Sequence, residues 1–123
     1  MAKALGVGGV FFRSENPEAL AAWYKDRLGI GAGEHGTWDT DAGMTLFSPF
    51  KADTDYFPAD RRWMVNFRVD DLDALIARFR EHGEAVETRA EWETPYGRFA
   101  RVHDPEGNPI ELWQAPDGGG EAA

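Results

Sequence analysis

Hydrophobic positions along this chain switch between a two-residue period and a helical one, and the switch happens twice. Val7 to Arg13 reads as a strand, with Val10 and Phe12 on one side and Gly9, Phe11 and Arg13 on the other. Asn16-Pro17 follows, an N-cap residue with proline at the first helical position, and Glu18 suits the positive end of the helix dipole. Leu20, Tyr24 and Leu28 recur at helical spacing, and Gly29 supplies a left-handed residue to end the helix. The order then returns. Met64 to Val69 is a strand, Asp70 and Asp71 are caps, and Leu72, Leu75, Ile76 and Phe79 form an apolar stripe that stops at Gly83.

Strand-like material follows each helix. Gly36 to Asp39 and Met44 to Ser48 come after the first; Glu84 to Thr88, Arg98 to His103 and Ile110 to Trp113 come after the second. The run Asp104-Pro105-Glu106-Gly107-Asn108-Pro109 is a turn by composition. Phe12-Arg13 recurs as Phe67-Arg68, 55 residues on, and at the same offset Ala19-Leu20 matches Ala74-Leu75 and Tyr24 matches Phe79. Two copies of one supersecondary unit therefore account for most of the chain.

Composition narrows the possibilities. Thirteen Lys and Arg against 22 Asp and Glu give a net charge of −9, so a polyanion such as DNA has no electrostatic reason to bind. The absence of cysteine excludes a disulfide scaffold, a thiolate zinc site and a cysteine nucleophile. No apolar run approaches the ~20 residues that span a bilayer, and Met1 to Ala4 lacks the apolar core of a signal peptide. A cytoplasmic protein with no membrane partner is expected. Ser14 and Ser48 have no nucleophile-elbow context, and Gly6, Gly8 and Gly9 precede a strand rather than forming a phosphate cradle.

The chain resembles the vicinal-oxygen-chelate superfamily, which includes glyoxalase I, fosfomycin-resistance proteins, extradiol dioxygenases and bleomycin-resistance proteins. The resemblance covers about residues 5 to 115. It is carried by Asn16-Pro17 through Trp23-Tyr24 and Leu28-Gly29, by Val69-Asp70-Asp71-Leu72, and above all by Asp104-Pro105-Glu106-Gly107-Asn108 with the trailing Ile110-Glu111-Leu112. It implies an α+β fold of two βαβββ modules, forming a cupped mixed sheet with helices on the outer face, usually in a homodimer. Residues 1–115 are expected to form one domain, with module one at about 5–50, module two at about 62–115, and 116–123 as a flexible tail. The superfamily's metal positions would fall on Gly9, Met64, Glu111 and, near the matching strand of module one, Thr45. Only Glu111 has a suitable side chain, and a divalent transition metal generally needs about three protein ligands. His35, His82 and His103 are scattered.

Strand periodicity collects Phe11, Arg13, Asn66, Arg68, Glu111 and Trp113 on the face away from the helices, with Phe99, Arg101 and His103 on the neighbouring strand. Aromatic walls with a few convergent polar groups describe a small-molecule site, and arginine forks suit carboxylates. Glu111 could instead pair with Arg13 or Arg68 across the sheet. Trp38 and Trp63 are placed near the rim, and Tyr56-Phe57-Pro58 and Trp92 to Pro95 are loops that either cover the pocket or only the surface. The favoured reading is a bleomycin-resistance-like protein that binds a small aromatic or carboxylate-bearing molecule, without a required cofactor. The alternative is a metal-dependent glyoxalase-type lyase or isomerase using Glu111 as a ligand. A third reading is an interaction domain with a filled sheet face.

Overall fold

The computed structural model describes residues 2–31 and 33–116. Helix α1 spans Pro17–Leu28 and helix α2 spans Leu72–Glu81. Strands β1 (Val65–Arg68), β2 (Glu93–Thr94), β3 (Gly97–His103) and β4 (Pro109–Gln114) form one sheet in the order β1-β4-β3-β2. β1 runs parallel to β4, and the other pairings are antiparallel. The result is an α+β fold with a mixed open sheet.

Both helices start and stop as their sequences dictate. The Asn16 side chain accepts from the Ala19 amide at 3.2 Å, and the Asp71 side chain accepts from the Ala74 amide at 3.0 Å. Gly29 takes φ 71° at the end of α1, and its amide donates to the Lys25 carbonyl. After α2 the chain turns at His82 and Gly83. The core lies between the helices and one sheet face: Trp23, Leu72, Ile76 and Phe79 pack against Ala100, Val102, Ile110 and Leu112. Trp23 donates from its indole to Glu84 at 2.7 Å, and Arg27 donates to the same carboxylate at 2.9 Å. This joins α1 to the chain leaving α2.

The two modules differ. Module two builds the sheet, whereas module one contributes α1 and mostly irregular chain. Val7 to Arg13, Gly36 to Asp39 and Met44 to Ser48 enter no ladder, which departs from three strands expected there. The alternation that marks these segments as strands is present in the sequence, but a strand needs a partner edge to form. Glu84 to Thr88 likewise yields one bridge, between Glu87 and Arg101. A two-residue strand, β2, forms where a loop was expected. Residues 117–123, most of the expected tail, lie outside the described residues. Among the described residues no helix is long and apolar enough to cross a membrane.

The turn joining β3 to β4 is built around Asp104, which is only 4% exposed. Its carboxylate accepts from the Glu106 amide (2.9 Å), the Asn108 amide (3.0 Å), the Asn108 side chain (2.7 Å) and the Tyr24 hydroxyl (2.6 Å). Burial, and then the bond to Asp104, push the Tyr24 hydroxyl pKa well above its ordinary value. Glu106 reaches the other way and accepts from Ser14 at 2.7 Å and from the Glu15 amide at 3.0 Å, just ahead of α1. Replacing Asp104 by alanine leaves several buried donors unsatisfied, and the expected loss is about 3 kcal/mol. Asp104→Asn, which keeps the acceptor oxygen, should lose less. Urea denaturation monitored by circular dichroism checks both; equal, small losses would mean that the turn stands without the carboxylate.

Candidate functional site

The β3–β4 register pairs Phe99 with Trp113, Arg101 with Glu111, and His103 with Pro109. The β1–β4 register adds Asn66 beside Glu111 and Arg68 beside Trp113. Because Ala100, Val102, Ile110 and Leu112 take the helix side, these residues share the opposite face. Two charges are buried there: Arg101 at 6% exposure and Glu111 at 7%.

Glu111 is held from two directions. Asn66 donates to Oε1 at 2.7 Å, and the Tyr56 hydroxyl donates to Oε2. The expected partners for Glu111 were Arg13 or Arg68. Arg68 instead donates to the Asp41 and Ala42 carbonyls, at 2.7 and 3.4 Å. It sits on the edge strand, where a long side chain reaches the loop more readily than the sheet centre.

Arg101 has no salt bridge among the described residues. Its guanidinium lies 5.1 Å from the centre of the Tyr56 ring and 5.6 Å from that of Trp92. One terminal nitrogen donates to the Tyr56 carbonyl at 2.9 Å, while Nε is buried without a hydrogen-bond partner. The backbone of Arg101 is fixed on both sides, by Glu87 and by β4. The loop carrying Tyr56 opens a depression of about 510 Å³, lined by Asp53, Asp55, Phe57, Arg89 and Arg101 among others.

The aromatic residues nearby are ordered by one another. Trp113 stacks on Phe99, with ring centres 6.0 Å apart and planes 3° from parallel, and its indole donates to the Tyr96 carbonyl at 3.0 Å. Gly97, at φ 128°, allows this approach, since a Cβ there would come within 2.5 Å of the Trp113 indole nitrogen. Phe50 stacks on Tyr56 at 5.6 Å, and Trp92 meets Tyr56 edge-on at 6.1 Å.

Asn66, Arg101 and Glu111 thus come together, with Arg68, Phe99 and Trp113 on the same face. Phe11 and Arg13 do not join them. Phe11 is 96% exposed on extended chain, and Arg13 lines a separate depression of about 570 Å³ with Arg61, Glu106 and Asn108. Their strand makes no ladder, so period-two logic has no sheet to act on. His103 is exposed at the end of β3. Trp38 packs edge-on to Phe67, a residue of the helix-side set, and Trp63 is exposed. Tyr56 and Trp92 are the residues of this cluster that periodicity did not assign. Tyr56 sits in irregular chain and Trp92 in a three-residue 3-10 turn, where no repeat tells which way a side chain points.

A family model described as a glyoxalase-like domain matches residues 9–113. The chain belongs to the glyoxalase-like family. It is thereby a member of the vicinal-oxygen-chelate superfamily. A solved structure, TnmS3, an antibiotic binding protein from Streptomyces sp. CB03234, is 29% identical, with 82% of this chain and 88% of that one covered and a TM-score of 0.48. None of the curated proteins matches.

Membership implies a metal in many relatives, and the donor set of this glyoxalase-like chain can be tested against one. Gly9 has no side chain and lies on exposed chain, Met64 offers a thioether, and both Glu111 oxygens already accept hydrogen bonds. No group of three or more His, Asp or Glu among the described residues could hold a metal ion. These residues do not fit a divalent transition metal.

Partial burial, followed by the bond to Glu111 and the carboxylate's charge, raises the Tyr56 pKa from 10.0 to about 12, against a smaller lowering by Arg101. The folded state therefore keeps a proton that the unfolded chain has released between about pH 10 and 12. The stability from this bond is complete below pH 10 and is lost as pH rises toward 12. A phenolate absorbance titration of wild type and Tyr56→Phe should differ by one group titrating near pH 12. A difference near pH 10 would remove the Tyr56–Glu111 bond from the account.

Proposed function

We propose that this glyoxalase-like protein binds a small aromatic or carboxylate-bearing molecule on the Arg101–Glu111 face, without a metal. The supporting observation is Arg101 itself: a buried cation with an unpartnered Nε, set against two aromatic rings at an open depression. A buried charge without a counter-ion is costly. A carboxylate arriving at this guanidinium would relieve that cost through charge-assisted hydrogen bonds, while Trp92 and the aromatic residues around it accept an apolar body. Glu111, already hydrogen-bonded, acts in this reading as an acceptor rather than a metal ligand.

The test uses the purified full chain, with metal content measured first and 4-methylbenzoate titrated by tryptophan fluorescence. The expected result is no stoichiometric metal, saturable binding, and roughly 10–100-fold weaker binding in Arg101→Met, the loss of one charge-assisted bond of about 1.5–3 kcal/mol. Stoichiometric nickel, zinc or manganese that disappears in Glu111→Gln would overturn this reading in favour of a glyoxalase-type lyase or isomerase.

We propose also that the protein is a cytoplasmic homodimer. The support for the dimer is the apolar surface on module one: Val7, Val10, Phe11, Phe12, Met44 and Phe47 are all exposed on chain with no ladder partner. A second copy of the same chain would cover such a surface by a self-complementary contact. Light scattering should give twice the mass of one chain, and Phe11→Asp with Phe47→Asp should halve it; a monomeric wild type would defeat the proposal. The cysteine-free composition suits a reducing compartment.

A further inference from the structure

We propose that Tyr56 is a built-in surrogate for the ligand, and that the site takes a phenol: a planar aromatic molecule whose hydroxyl replaces that of Tyr56 on Glu111. The inference rests on the preceding reading that this face is the ligand site, and it names the ligand's chemistry.

Tyr56 reaches both buried charges of the face with one side chain and its own carbonyl, and leaves the Arg101 Nε without a partner. Its hydroxyl donates to Glu111, its ring lies under the Arg101 guanidinium and against Phe50 and Trp92, and its carbonyl accepts a hydrogen bond from Arg101. The segment it belongs to has no ladder. Within residues 51–60 the described backbone bonds are local, Thr54 to Lys51 and Arg61 to Pro58, and the hydrogen bonds to the sheet are those of Tyr56. The backbones of the groups it covers are, by contrast, fixed without it. Arg101 and Glu111 lie opposite each other on the two central strands, and Asn66 holds the other oxygen of Glu111. Swinging Tyr56 away would leave an intact frame with one carboxylate oxygen, one guanidinium and aromatic walls open.

An ionised carboxylate only accepts hydrogen bonds. The molecule that replaces Tyr56 must therefore bring a donor to Glu111, and an ether or a second carboxylate cannot. A site built around a hydrogen bond to a substrate hydroxyl strongly rejects analogues that lack it. Competition with Tyr56 also sets the apparent affinity, because only the fraction of molecules with the segment displaced can bind.

The probe is p-cresol, the side-chain analogue of tyrosine, compared with 4-methylanisole, which lacks the donor. Calorimetric titrations are run on wild type, Tyr56→Ala, Tyr56→Phe and the double variant Tyr56→Ala with Glu111→Met, each checked for its circular dichroism. Tyr56→Ala is expected to bind p-cresol at least tenfold more tightly than wild type and at least tenfold more tightly than it binds 4-methylanisole. The double variant should lose that discrimination. Tyr56→Phe, which keeps the ring and loses only the hydroxyl, should gain several-fold and decides the matter if the alanine variant fails to fold. Unchanged or weaker p-cresol binding in the Tyr56 variants, or equal binding of the ether, overturns the inference. If 4-methylbenzoate still binds through Arg101 in that case, the parent reading stands and only the phenol assignment falls. If neither probe binds any of the proteins, both fall.

Discussion

The buried carboxylate of Asp104 fixes the geometry that everything else uses. By accepting from two backbone amides, the Asn108 side chain and the Tyr24 hydroxyl, it closes the turn between β3 and β4 and ties that turn to α1. The turn sets the register of the two central strands. A slip of β3 by one residue would send Arg101 into the hydrophobic core and bring Ala100 and Val102 out. With the register fixed, the helix side receives Ala100, Val102, Ile110 and Leu112, with Arg98 and Gln114 at the strand ends reaching Asp73 and the Leu72 amide of α2, and the other side receives Arg101 and Glu111.

That second side is where the structure departs from what packing alone would choose. Replacing a buried ion with a well-packed apolar residue is often neutral or stabilising, yet Arg101 and Glu111 sit as direct cross-strand neighbours without forming a salt bridge. Each meets Tyr56 instead: one its hydroxyl, the other its ring and carbonyl, with the Arg101 Nε left unpartnered. The aromatic groups make this tolerable by supplying ring faces to the cation. The arrangement keeps two opposite charges apart on neighbouring strands.

Module two supplies all four strands of the sheet and module one supplies none. Asp71 caps α2, its apolar stripe covers the sheet, and β1, β3 and β4 pair among themselves. Module one attaches through α1, by Trp23 and Arg27 on Glu84 and by Tyr24 on Asp104. Its extended segments keep their apolar side chains exposed. The 55-residue repeat is therefore a repeat of sequence pattern that one chain realises as a sheet only once.

The sequence by itself determined what depends on near neighbours along the chain. Asn16-Pro17 and Asp71 begin the helices, Gly29 ends the first, the Asp104 turn and the alternation of β3 and β4 assign their faces, and the motif around Ile110-Glu111-Leu112 carries the family. All of these are bonds or periodicities spanning a few residues, so residue order encodes them directly. Tertiary structure alone decided which strands find partners, that Asn66 and Tyr56 rather than Arg13 or Arg68 hold Glu111, and that Tyr56 and Trp92 flank Arg101. Tyr56 lies 45 residues from Arg101 and 55 from Glu111 in irregular chain. No local period governs such a contact; it exists only once the sheet has fixed the two charges and the loop has found the one ring that serves both.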